Sequence, residues 1–413
     1  MATAILQPTP DFDPELRLLI PENDVVAPEL SIVIPAMNER ITIADFVEWC
    51  KQGARNAGIS AEILIVDSSN DETPDIAHKH GARVLRTPKR GLGRAYIDAI
   101  PYIRGKYVLM GDADCTYDFR QISAFVEQFR AGAEFVMGSR FKGYIEPDSM
   151  PPLHRYFGTP ITTAILNFLY STRFSDIHCG MRGMTREALI HINLESQTWE
   201  YASEMVLKSV CLRLRTAEVP VRFLKDREGR LSHMKRGGWF EPWRAGWGNL
   251  RAMLIYGADF FALRPGLVLL GIGLLLLLGS VLGPLRIGPL VLSLYWSLAG
   301  LALGVVGIQS FCLGCIVQVI YSYTPESRAR WLRLFEYTRA MIVAGAIAVL
   351  GIALTLPLVM RYVGEGYRLL GTFEAEGRLA VSGVFLLLTS FSITTATLAV
   401  HAAALASRNR YAR

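Results

Sequence analysis

The sequence predicts an α/β domain with a mostly parallel sheet, followed by interfacial helices and an α-helical membrane domain of four spans. Apolar runs alternate with helix-like segments in the first half, and long apolar stretches follow Leu263. The chain has 413 residues, a net charge of +6, 51% hydrophobic residues and a mean hydropathy of +0.28. This apolarity is too high for an ordinary soluble enzyme and indicates a soluble part joined to a membrane part.

Five apolar runs rich in β-branched residues predict the strands of the sheet. The segments between them have helical periodicity, as in 43–57, where Phe46, Val47 and Cys50 share a face, and in 119–131. Strands that alternate with helices are typical of βαβ units and a parallel sheet. The five predicted strands are 30–36, 62–67, 83–86, 107–110 and 134–137.

Polar and glycine residues follow each predicted strand. In open parallel sheets, ligands bind at the carboxyl ends of the strands. Five such clusters along the chain therefore predict a binding site at this edge. They occupy 35–39, 67–73, 90–95, 112–114 and 138–140.

Asp112 and Asp114 follow the fourth strand directly, in the stretch GDADCTYD. Because they are two residues apart, their side chains fall on the same face in extended geometry. Paired carboxylates need a counter-charge, and a hard divalent cation such as Mg²⁺ or Mn²⁺ supplies it. Mg²⁺ completes its ligand shell with water and substrate phosphates, so the pattern favours a nucleotide diphosphate as ligand.

Six motifs together resemble the inverting family-2 glycosyltransferases, closest to the dolichyl-phosphate mannose synthases and bacterial polyprenyl-phosphate glycosyltransferases. The resemblance covers about 30–232 and implies a GT-A-type, Rossmann-like fold. It also implies transfer of a single hexose from a nucleotide sugar, UDP-glucose or GDP-mannose, to a membrane polyprenyl phosphate. The motifs are Pro35-Ala-Met-Asn-Glu39, Asp67-Ser-Ser-Asn-Asp-Glu-Thr73, Gly91-Leu-Gly93, Asp112-Ala-Asp114, Gly138-Ser-Arg140 and Cys179-Gly-Met-Arg182.

The resemblance implies roles for individual residues on the donor side. Asp112 and Asp114 would hold the metal and act in catalysis, with the backbone of Ala113 against the diphosphate. Related synthases often carry a further metal ligand, Gln, where this chain has Thr116, so the third ligand stays open. The residues assigned to the nucleoside are Pro35, Met37, Glu39 and Asp67.

Basic residues are assigned to the acceptor and to a closing loop. Arg140, Arg155 and Thr159 match the acceptor-phosphate positions of the family, and a planar guanidinium suits phosphate oxygens. Arg155 and Thr159 would share a helix face. The stretch from Arg227 to Lys235 resembles the loop that closes over the diphosphate, which gives Arg227 a catalytic role and Lys235 a donor-binding role.

Four long stretches after Leu263 each hold the about 20 mostly apolar residues that a bilayer span requires. Arginines cluster between the second and third stretches and at the C-terminus. Because positive charge near span ends marks the cytoplasmic side, the catalytic domain and the C-terminus are predicted to face the cytoplasm. The predicted spans are 263–285, 287–323, 340–360 and 379–407.

The predicted domains follow from these boundaries. No signal peptide is predicted, and residues 1–29 are expected to be a flexible lead-in. A cytosolic glycosyltransferase domain is expected over 30–232, and a membrane domain of four helices over 263–413. Interfacial helices are expected over 233–262, where Trp239, Trp243 and Trp247 alternate with arginines.

Two further carboxylates of this domain, Glu204 and Asp176, have structural interpretations. Glu204 either orients the sugar or holds a nearby arginine, and the sequence leaves both open. Asp176 and Arg182 are predicted to form a structural ion pair.

Three alternative functions can be compared with the sequence. A processive polysaccharide synthase would carry a Gln-x-x-Arg-Trp motif, which this chain lacks, and a nucleotidyltransferase would carry a glycine-rich basic loop after the first strand. A non-catalytic membrane scaffold would not need intact Asp112 and Asp114. The predicted partners are a nucleotide sugar, a polyprenyl phosphate and the bilayer, without nucleic acid; a homo-oligomer is left open.

Overall fold

The computed structural model divides the chain into two compact units, residues 1–255 and 256–413. The structure describes residues 13–170, 172–229, 257, 259–281, 285–287, 290–320, 325–368 and 374–411. Most of the predicted interfacial segment 233–262, with Lys235 and the three tryptophans, lies outside the described residues.

The first unit is built on one eight-stranded mixed sheet with the strand order β1-β4-β3-β2-β5-β7-β6-β8. Strands β2 to β5 are mutually parallel, β1 is antiparallel to β4, and β7 is antiparallel to both β5 and β6. β5 and β6 therefore point the same way, and their carboxyl ends lie on one edge. The strands are β1 (Arg17–Leu19), β2 (Leu30–Ala36), β3 (Ala61–Asp67), β4 (Arg83–Arg86), β5 (Tyr107–Met110), β6 (Phe135–Ile145), β7 (Arg182–Thr185) and β8 (Thr216–Phe223).

All five predicted strands are present, and the sheet is mostly parallel as predicted. β6 is longer than predicted because its second half continues to pair with β8, across a register irregularity between Ser139 and Tyr144. The core strands are buried on both faces, which explains their continuous apolar sequences.

Of the predicted flexible lead-in over 1–29, the structure describes residues 13–29, and this part contains the strand β1. Leu18 is buried, and the strand covers the edge of β4 through the pairs Arg17 with Arg86 and Leu19 with Val84. An uncovered edge strand offers unpaired backbone groups to other chains, so three residues here complete the sheet.

Helices cover the sheet, and α1 buries the predicted face of Phe46, Val47 and Cys50. The predicted helix over 119–131 is divided, because the Asp118 side chain accepts a hydrogen bond from the backbone N–H of Arg120 and caps a separate 3-10 turn. The helices are α1 (Ile43–Ala57), α2 (Thr73–Lys79), α3 (Leu92–Ala99), α4 (Ser123–Arg130), α5 (Thr159–Tyr170), α6 (Arg186–Ile192) and α7 (Tyr201–Cys211).

Among the described residues of the second unit, four helices are long and apolar enough to cross a membrane, as predicted. A shorter helix, α10, connects the second and third of them. The predicted second span starts too early, because Leu290–Leu292 pairs with Leu285–Ile287 in a β-hairpin, and its helix begins at Leu294. The helices are α8 (Arg264–Val281), α9 (Leu294–Ile320), α10 (Pro325–Leu334), α11 (Tyr337–Gly364) and α12 (Glu374–Tyr411).

Glycines allow α8 and α9 to pack closely. A Cβ atom on Gly273 would lie 2.4 Å from the backbone nitrogen of Gly304, so a larger residue would separate the helices. Small residues at such contacts are typical of membrane helices, which associate by packing rather than by the hydrophobic effect.

Glu62, at the amino end of β3, joins two arginines inside the first unit. It is 2% exposed, and its carboxylate lies 2.6 Å from Arg83 Nη1 and 2.7 Å from Arg104 Nε. Ser31 donates a further hydrogen bond to it. The group lies at the sheet edge opposite the strand ends that carry the polar motifs.

Glu62→Ala should lower the free energy of unfolding by about 3–5 kcal/mol, because it leaves Arg83 buried without its carboxylate. Urea unfolding of the full chain in detergent, followed by tryptophan fluorescence, measures the change. Glu48→Ala is the matched control: Glu48 pairs with Lys51 but is half exposed, so its loss should stay within about 1 kcal/mol. Equal losses in both variants would contradict the buried network.

Candidate active site

The loops that follow β2 and β3 are joined at the carboxyl edge of the sheet. The backbone N–H of Asn38 donates to Ser69 Oγ at 2.7 Å, and that of Asn70 donates to Asn38 Oδ1 at 3.1 Å. Asn38 has φ 59°, in the left-handed region that asparagine tolerates better than most residues. β5 lies directly beside β2, so these loops flank the Asp112–Asp114 turn as predicted.

The Asp112 and Asp114 side chains are both half-buried at the end of β5. Asp114 Oδ1 accepts hydrogen bonds from the backbone N–H of Thr116 at 3.0 Å and from its hydroxyl at 2.6 Å. Cys115, which lies between Asp114 and Thr116, adopts a φ of 58°. Thr116, at the position where related synthases often carry a glutamine, therefore orients Asp114.

Asp112 lies among groups that the motifs alone do not identify. A Cβ atom on Gly180 would be 2.6 Å from Asp112 Oδ2, so a larger residue there would displace the carboxylate. The N–H of Gly180 donates to Tyr117 Oη at 2.8 Å. Burial, and then the charge of Asp112, raise the pKa of Tyr201, which reaches about 12 although Arg182 opposes the rise. The tyrosine hydroxyl therefore stays neutral beside the carboxylate.

The carboxylate pair suits a hard divalent cation that brings other ligands with it. Within the described residues, no group of three or more His, Cys, Asp or Glu side chains is placed to hold a metal by itself. Mg²⁺ and Mn²⁺ accept two carboxylates and complete their shells with water and phosphate oxygens. Cys115, a soft ligand, is buried. The donor set therefore fits the predicted cation.

The residues predicted for the nucleoside divide into two groups. Pro35 and Met37 are half-buried and reach the surface of the site. Glu39 and Asp67 are buried. The Glu39 carboxylate accepts a hydrogen bond from the Thr42 hydroxyl, and the backbone N–H of Glu39 donates one to Thr73 Oγ1.

Asp67 holds the loop after β3 from inside. Its carboxylate accepts from the N–H and hydroxyl of Ser69, at 3.1 and 2.6 Å, and pairs with Arg86. Burial raises the pKa of Asp67, and the bonds from Ser69 and the charge of Arg86 oppose the rise. In this arrangement the carboxylate shapes the loop rather than facing a ligand.

Arg140 is the buried partner of Asp176. Its Nε and Nη2 atoms lie 2.6 and 2.9 Å from the two carboxylate oxygens. The predicted ion pair between Asp176 and Arg182 is therefore wrong. Arg182 instead donates to the carbonyls of Cys179 and Ala202, at 2.6 and 2.8 Å.

Arg155 lies on a π-helical turn, His154–Gly158, that leads into α5. It is half-buried, with its guanidinium carbon 5.6 Å from the ring centroid of Tyr156. Thr159, four residues on, is only 3% exposed. Of the two, Arg155 is the better placed to meet a ligand from outside.

Large apolar side chains are exposed along the turn that carries Arg155 and along α5. Each of five is more than half exposed, although the unit has a well-formed core elsewhere. Exposed apolar groups at this density mark a surface that contacts a partner or a membrane. We call this surface the apolar ridge; it comprises Leu153, Tyr156, Phe157, Ile161 and Phe168.

Arg227 lies against α1. Its Nη2 atom is 2.9 Å from Asp45 Oδ2, and its guanidinium carbon is 5.8 Å from a ring centroid of Trp49. Both ion-pair partners are about half exposed, so this pair contributes little stability and can be exchanged for another anion.

Glu204 holds the loop beside the Gly91-Leu-Gly93 motif. It is buried and accepts from the N–H groups of Glu195 and Ser196, at 2.9 and 2.8 Å, and from Lys208. Its described contacts thus match the ion-pair interpretation, with a lysine in place of the arginine. A Cβ atom on Gly93 would lie 2.1 Å from the Ser196 carbonyl oxygen, which explains that glycine.

Comparisons with known proteins identify the family of the chain. The model of glycosyl transferase family 2 matches residues 31–192, and that of the family 2 C-terminal transmembrane region matches 316–404. A low-salt glycan biosynthesis hexosyltransferase of Haloferax volcanii is 36% identical over 304 residues, which cover 73% of this chain and 71% of the relative. The chain belongs to the family 2 glycosyltransferases.

Further similarities are more distant. A dolichyl-phosphate hexose transferase of the same organism is 32% identical over 170 residues, 41% of this chain and 72% of that one. The crystal structure of mannosyl-3-phosphoglycerate synthase from Rubrobacter xylanophilus is 23% identical, with a TM-score of 0.42 over 55% of this chain and 72% of that one. Family membership confirms the predicted enzyme class and GT-A-type fold, and it counts against a non-catalytic scaffold. The protein is an integral membrane glycosyltransferase.

His178 should make the stability of the protein depend on pH. Burial, and then the charge of Arg140, lower the pKa of His178 to about 4, so the imidazole is neutral in the folded chain. The folded chain then binds fewer protons than the unfolded chain between pH 6.5 and 4. With respect to His178, the free energy of unfolding therefore has its full value above about pH 6.5. It falls as the pH drops, by about 2 kcal/mol at pH 5.

The measurement compares urea unfolding of wild type and His178→Gln at pH 7 and pH 5. The variant should lose about 2 kcal/mol less than the wild type between the two pH values. An identical loss in both proteins would show that His178 titrates normally.

Proposed function

We propose that the enzyme transfers a single hexose from a nucleotide sugar, UDP-glucose or GDP-mannose, to a polyprenyl phosphate in the membrane, with a divalent metal and with inversion. The observation that carries the proposal is the pair of half-buried carboxylates, Asp112 and Asp114, at the carboxyl end of β5. The relatives named as a dolichyl-phosphate hexose transferase and a dolichol-phosphate mannosyltransferase support the lipid acceptor.

Asp112 and Asp114 would hold the Mg²⁺ or Mn²⁺ ion. When bound, the ion neutralises negative charge on the departing diphosphate. The chain fixes both carboxylates: Thr116 orients Asp114, and Gly180 leaves room for Asp112. Ala113 is buried between them, so its backbone lines the turn that would meet the diphosphate.

The acceptor phosphate is ionised at neutral pH, so the reaction needs no general base. Its oxygen forms the new bond to the anomeric carbon while the bond from that carbon to the diphosphate oxygen breaks. The diphosphate leaves with the electron pair from the opposite face, which inverts the configuration. Arg155 would bind the acceptor phosphate, and Arg140 would meet it through Nη1, because Asp176 engages Nε and Nη2.

The apolar ridge supports a lipid rather than a soluble acceptor. Leu153, Tyr156 and Phe157 lie within two residues of Arg155, and the other two side chains lie on α5. Aromatic and aliphatic groups of this kind bury favourably at the boundary of headgroups and acyl chains. A phosphate on a membrane lipid lies at that level. The positive charge near the span ends supports a cytoplasmic catalytic domain and C-terminus.

A processive synthase remains the competing function within the family. It would extend one chain by many sugars. The absence of a Gln-x-x-Arg-Trp motif from the sequence favours single transfer.

The transfer is tested by incubating the purified full chain with polyprenyl phosphate, Mn²⁺ or Mg²⁺ and labelled nucleotide sugars in turn. One donor should give a lipid product carrying one sugar, of opposite anomeric configuration to the donor, and EDTA should abolish it. Asp114→Asn should lower turnover at least about 100-fold, since it weakens the metal site. Asp75→Asn, an exposed aspartate in α2, is the control and should stay active.

Full turnover of Asp114→Asn, or turnover in EDTA, would refute the metal assignment. A ladder of products with several sugars would favour the processive synthase instead.

Arg155→Gln and Arg140→Gln should fail in different ways. Arg155→Gln should lower kcat/KM for the polyprenyl phosphate about tenfold or more, with the donor KM and the urea midpoint unchanged. Arg140→Gln leaves Asp176 buried without its cation and should lower the free energy of unfolding by about 3–5 kcal/mol. Arg173→Gln, an exposed arginine after α5, is the control. A rise in donor KM alone for Arg155→Gln would place this residue on the donor side.

A further inference from the structure

Glu218, on the edge strand β8, carries a buried carboxylate that the proposed reaction does not use. Its side chain is only 6% exposed, and a glutamate is rarely buried to this extent without partners. One carboxylate oxygen, Oε1, accepts three hydrogen bonds. They come from the backbone N–H of Ser175 at 2.8 Å, from the Ser175 hydroxyl at 2.9 Å and from the backbone N–H of Asp176 at 3.2 Å. Glu218 therefore holds the segment that these two residues form.

Asp176 in turn fixes Arg140, the buried arginine that the proposed function places at the acceptor phosphate. Its carboxylate binds Nε and Nη2 of the guanidinium at 2.6 and 2.9 Å, and it accepts from the backbone N–H of Arg140 at 3.1 Å. Asp176 is fully buried, so the direction of the guanidinium depends on where the segment with Ser175 lies. Glu218 is thus connected to Arg140 through Asp176.

The pairing between β6 and β8 becomes irregular at Arg140 itself. The two strands pair regularly up to Ser139, which lies opposite Pro220, and their register then shifts. Pro220 has no backbone N–H to donate, which is typical of an irregular position on an edge strand. The backbone N–H of Arg140 is bound by the Asp176 carboxylate rather than by a neighbouring strand.

A directed chain of hydrogen bonds connects Glu218 to the backbone on both sides of Arg140. Ser175 donates its single hydroxyl proton to Glu218, so the 2.6 Å contact between the two serine oxygens is donated by Ser139. Ser139 Oγ accepts in turn from the backbone N–H of Lys142 at 3.0 Å. The chain ends on a carboxylate, which is a stronger acceptor than a neutral oxygen.

We propose that Glu218 is a positioning residue for the acceptor: it fixes the segment of Ser175 and Asp176 so that Arg140 presents Nη1 to the acceptor phosphate. This inference rests on the proposed function, in which Arg140 binds that phosphate. Glu218 acts through hydrogen bonds, because all three donors converge on Oε1. Its other oxygen lies 2.6 Å from Nζ of Lys142, whose side chain is half exposed. An amide oxygen can replace Oε1 in this role, whereas a methyl group cannot.

The experiment measures kcat and KM of the purified full chain for a polyprenyl phosphate and for the nucleotide sugar that the wild type uses. Glu218→Ala should raise the KM for the polyprenyl phosphate about tenfold, the loss expected for one charge-assisted hydrogen bond to the phosphate. The KM for the nucleotide sugar should stay unchanged. Glu218→Gln keeps an accepting oxygen, so both of its KM values should stay within about threefold of those of the wild type.

Glu134→Ala is the matched control. Glu134 joins the segments directly before β6 and β8, at the end away from Arg140, where it accepts from the backbone N–H of Arg215 at 2.9 Å. Its loss should change neither KM value. Unfolding temperatures show whether each variant is folded. If Glu218→Ala is not, Ser175→Ala replaces it: this variant removes only one hydroxyl of the chain and should raise the KM for the polyprenyl phosphate alone, about threefold.

A double variant separates positioning of Arg140 from general packing. If Glu218 acts through Arg140, Glu218→Ala should add at most about twofold to the KM for the polyprenyl phosphate once Arg140→Lys has already altered the guanidinium. The full tenfold increase in that background would contradict this route.

A higher KM for the polyprenyl phosphate in Glu218→Ala, without a matching increase in Glu218→Gln or Glu134→Ala, supports the inference. The inference is overturned if folded Glu218→Ala keeps the wild-type value, if the two KM values rise together, or if Glu218→Gln is impaired as much as Glu218→Ala. An unchanged KM in folded Ser175→Ala overturns it when that variant is used. A wild type that transfers no sugar to a polyprenyl phosphate would refute the proposed function and this inference with it. The two failures are distinguishable, because the first is seen in the wild type and the second only in the variants.

Discussion

Two like charges at the end of one buried strand are the constraint on which the site depends. Asp112 and Asp114 are joined through a single buried residue, so their carboxylates repel each other when both are ionised. The fold accepts this arrangement by fixing Asp114 with Thr116 and by using glycine where Asp112 needs space. In the proposed reaction, a divalent cation would remove this repulsion and bind the donor diphosphate. The neighbouring loops would then shape the site around the cation and the diphosphate.

The parts of the fold that follow from local sequence could be predicted. The apolar runs of β2 to β5 and the helical periodicity of α1 are visible directly in the sequence. β7 could not be found in this way, because its four residues begin with a fully buried arginine, Arg182, and include a glycine. β1 was not predicted, because three residues are too few to show a hydrophobic pattern. Its pairing follows from the otherwise open edge of β4.

The site, too, could be predicted from the sequence only in part. The carboxylate pair and the arginines follow from motifs, but the partner of each charge depends on residues far apart in the chain. Asp176 lies six residues from Arg182 and 36 from Arg140, yet it pairs with Arg140. Likewise, burial of Asp67 and Glu39 depends on how two loops pack together, which no local spacing reveals. Gly180 was visible in a motif, but its contact with Asp112 required the fold.

The most direct test of the shared ion is the coupling between metal and nucleotide. Mn²⁺ binding to the full chain, measured by electron paramagnetic resonance, is titrated with and without UDP, and separately with and without GDP. One nucleoside diphosphate should tighten Mn²⁺ binding at least about tenfold, and Mn²⁺ should tighten binding of that nucleotide by the same factor. Independent binding of the ion and of both nucleotides would contradict it.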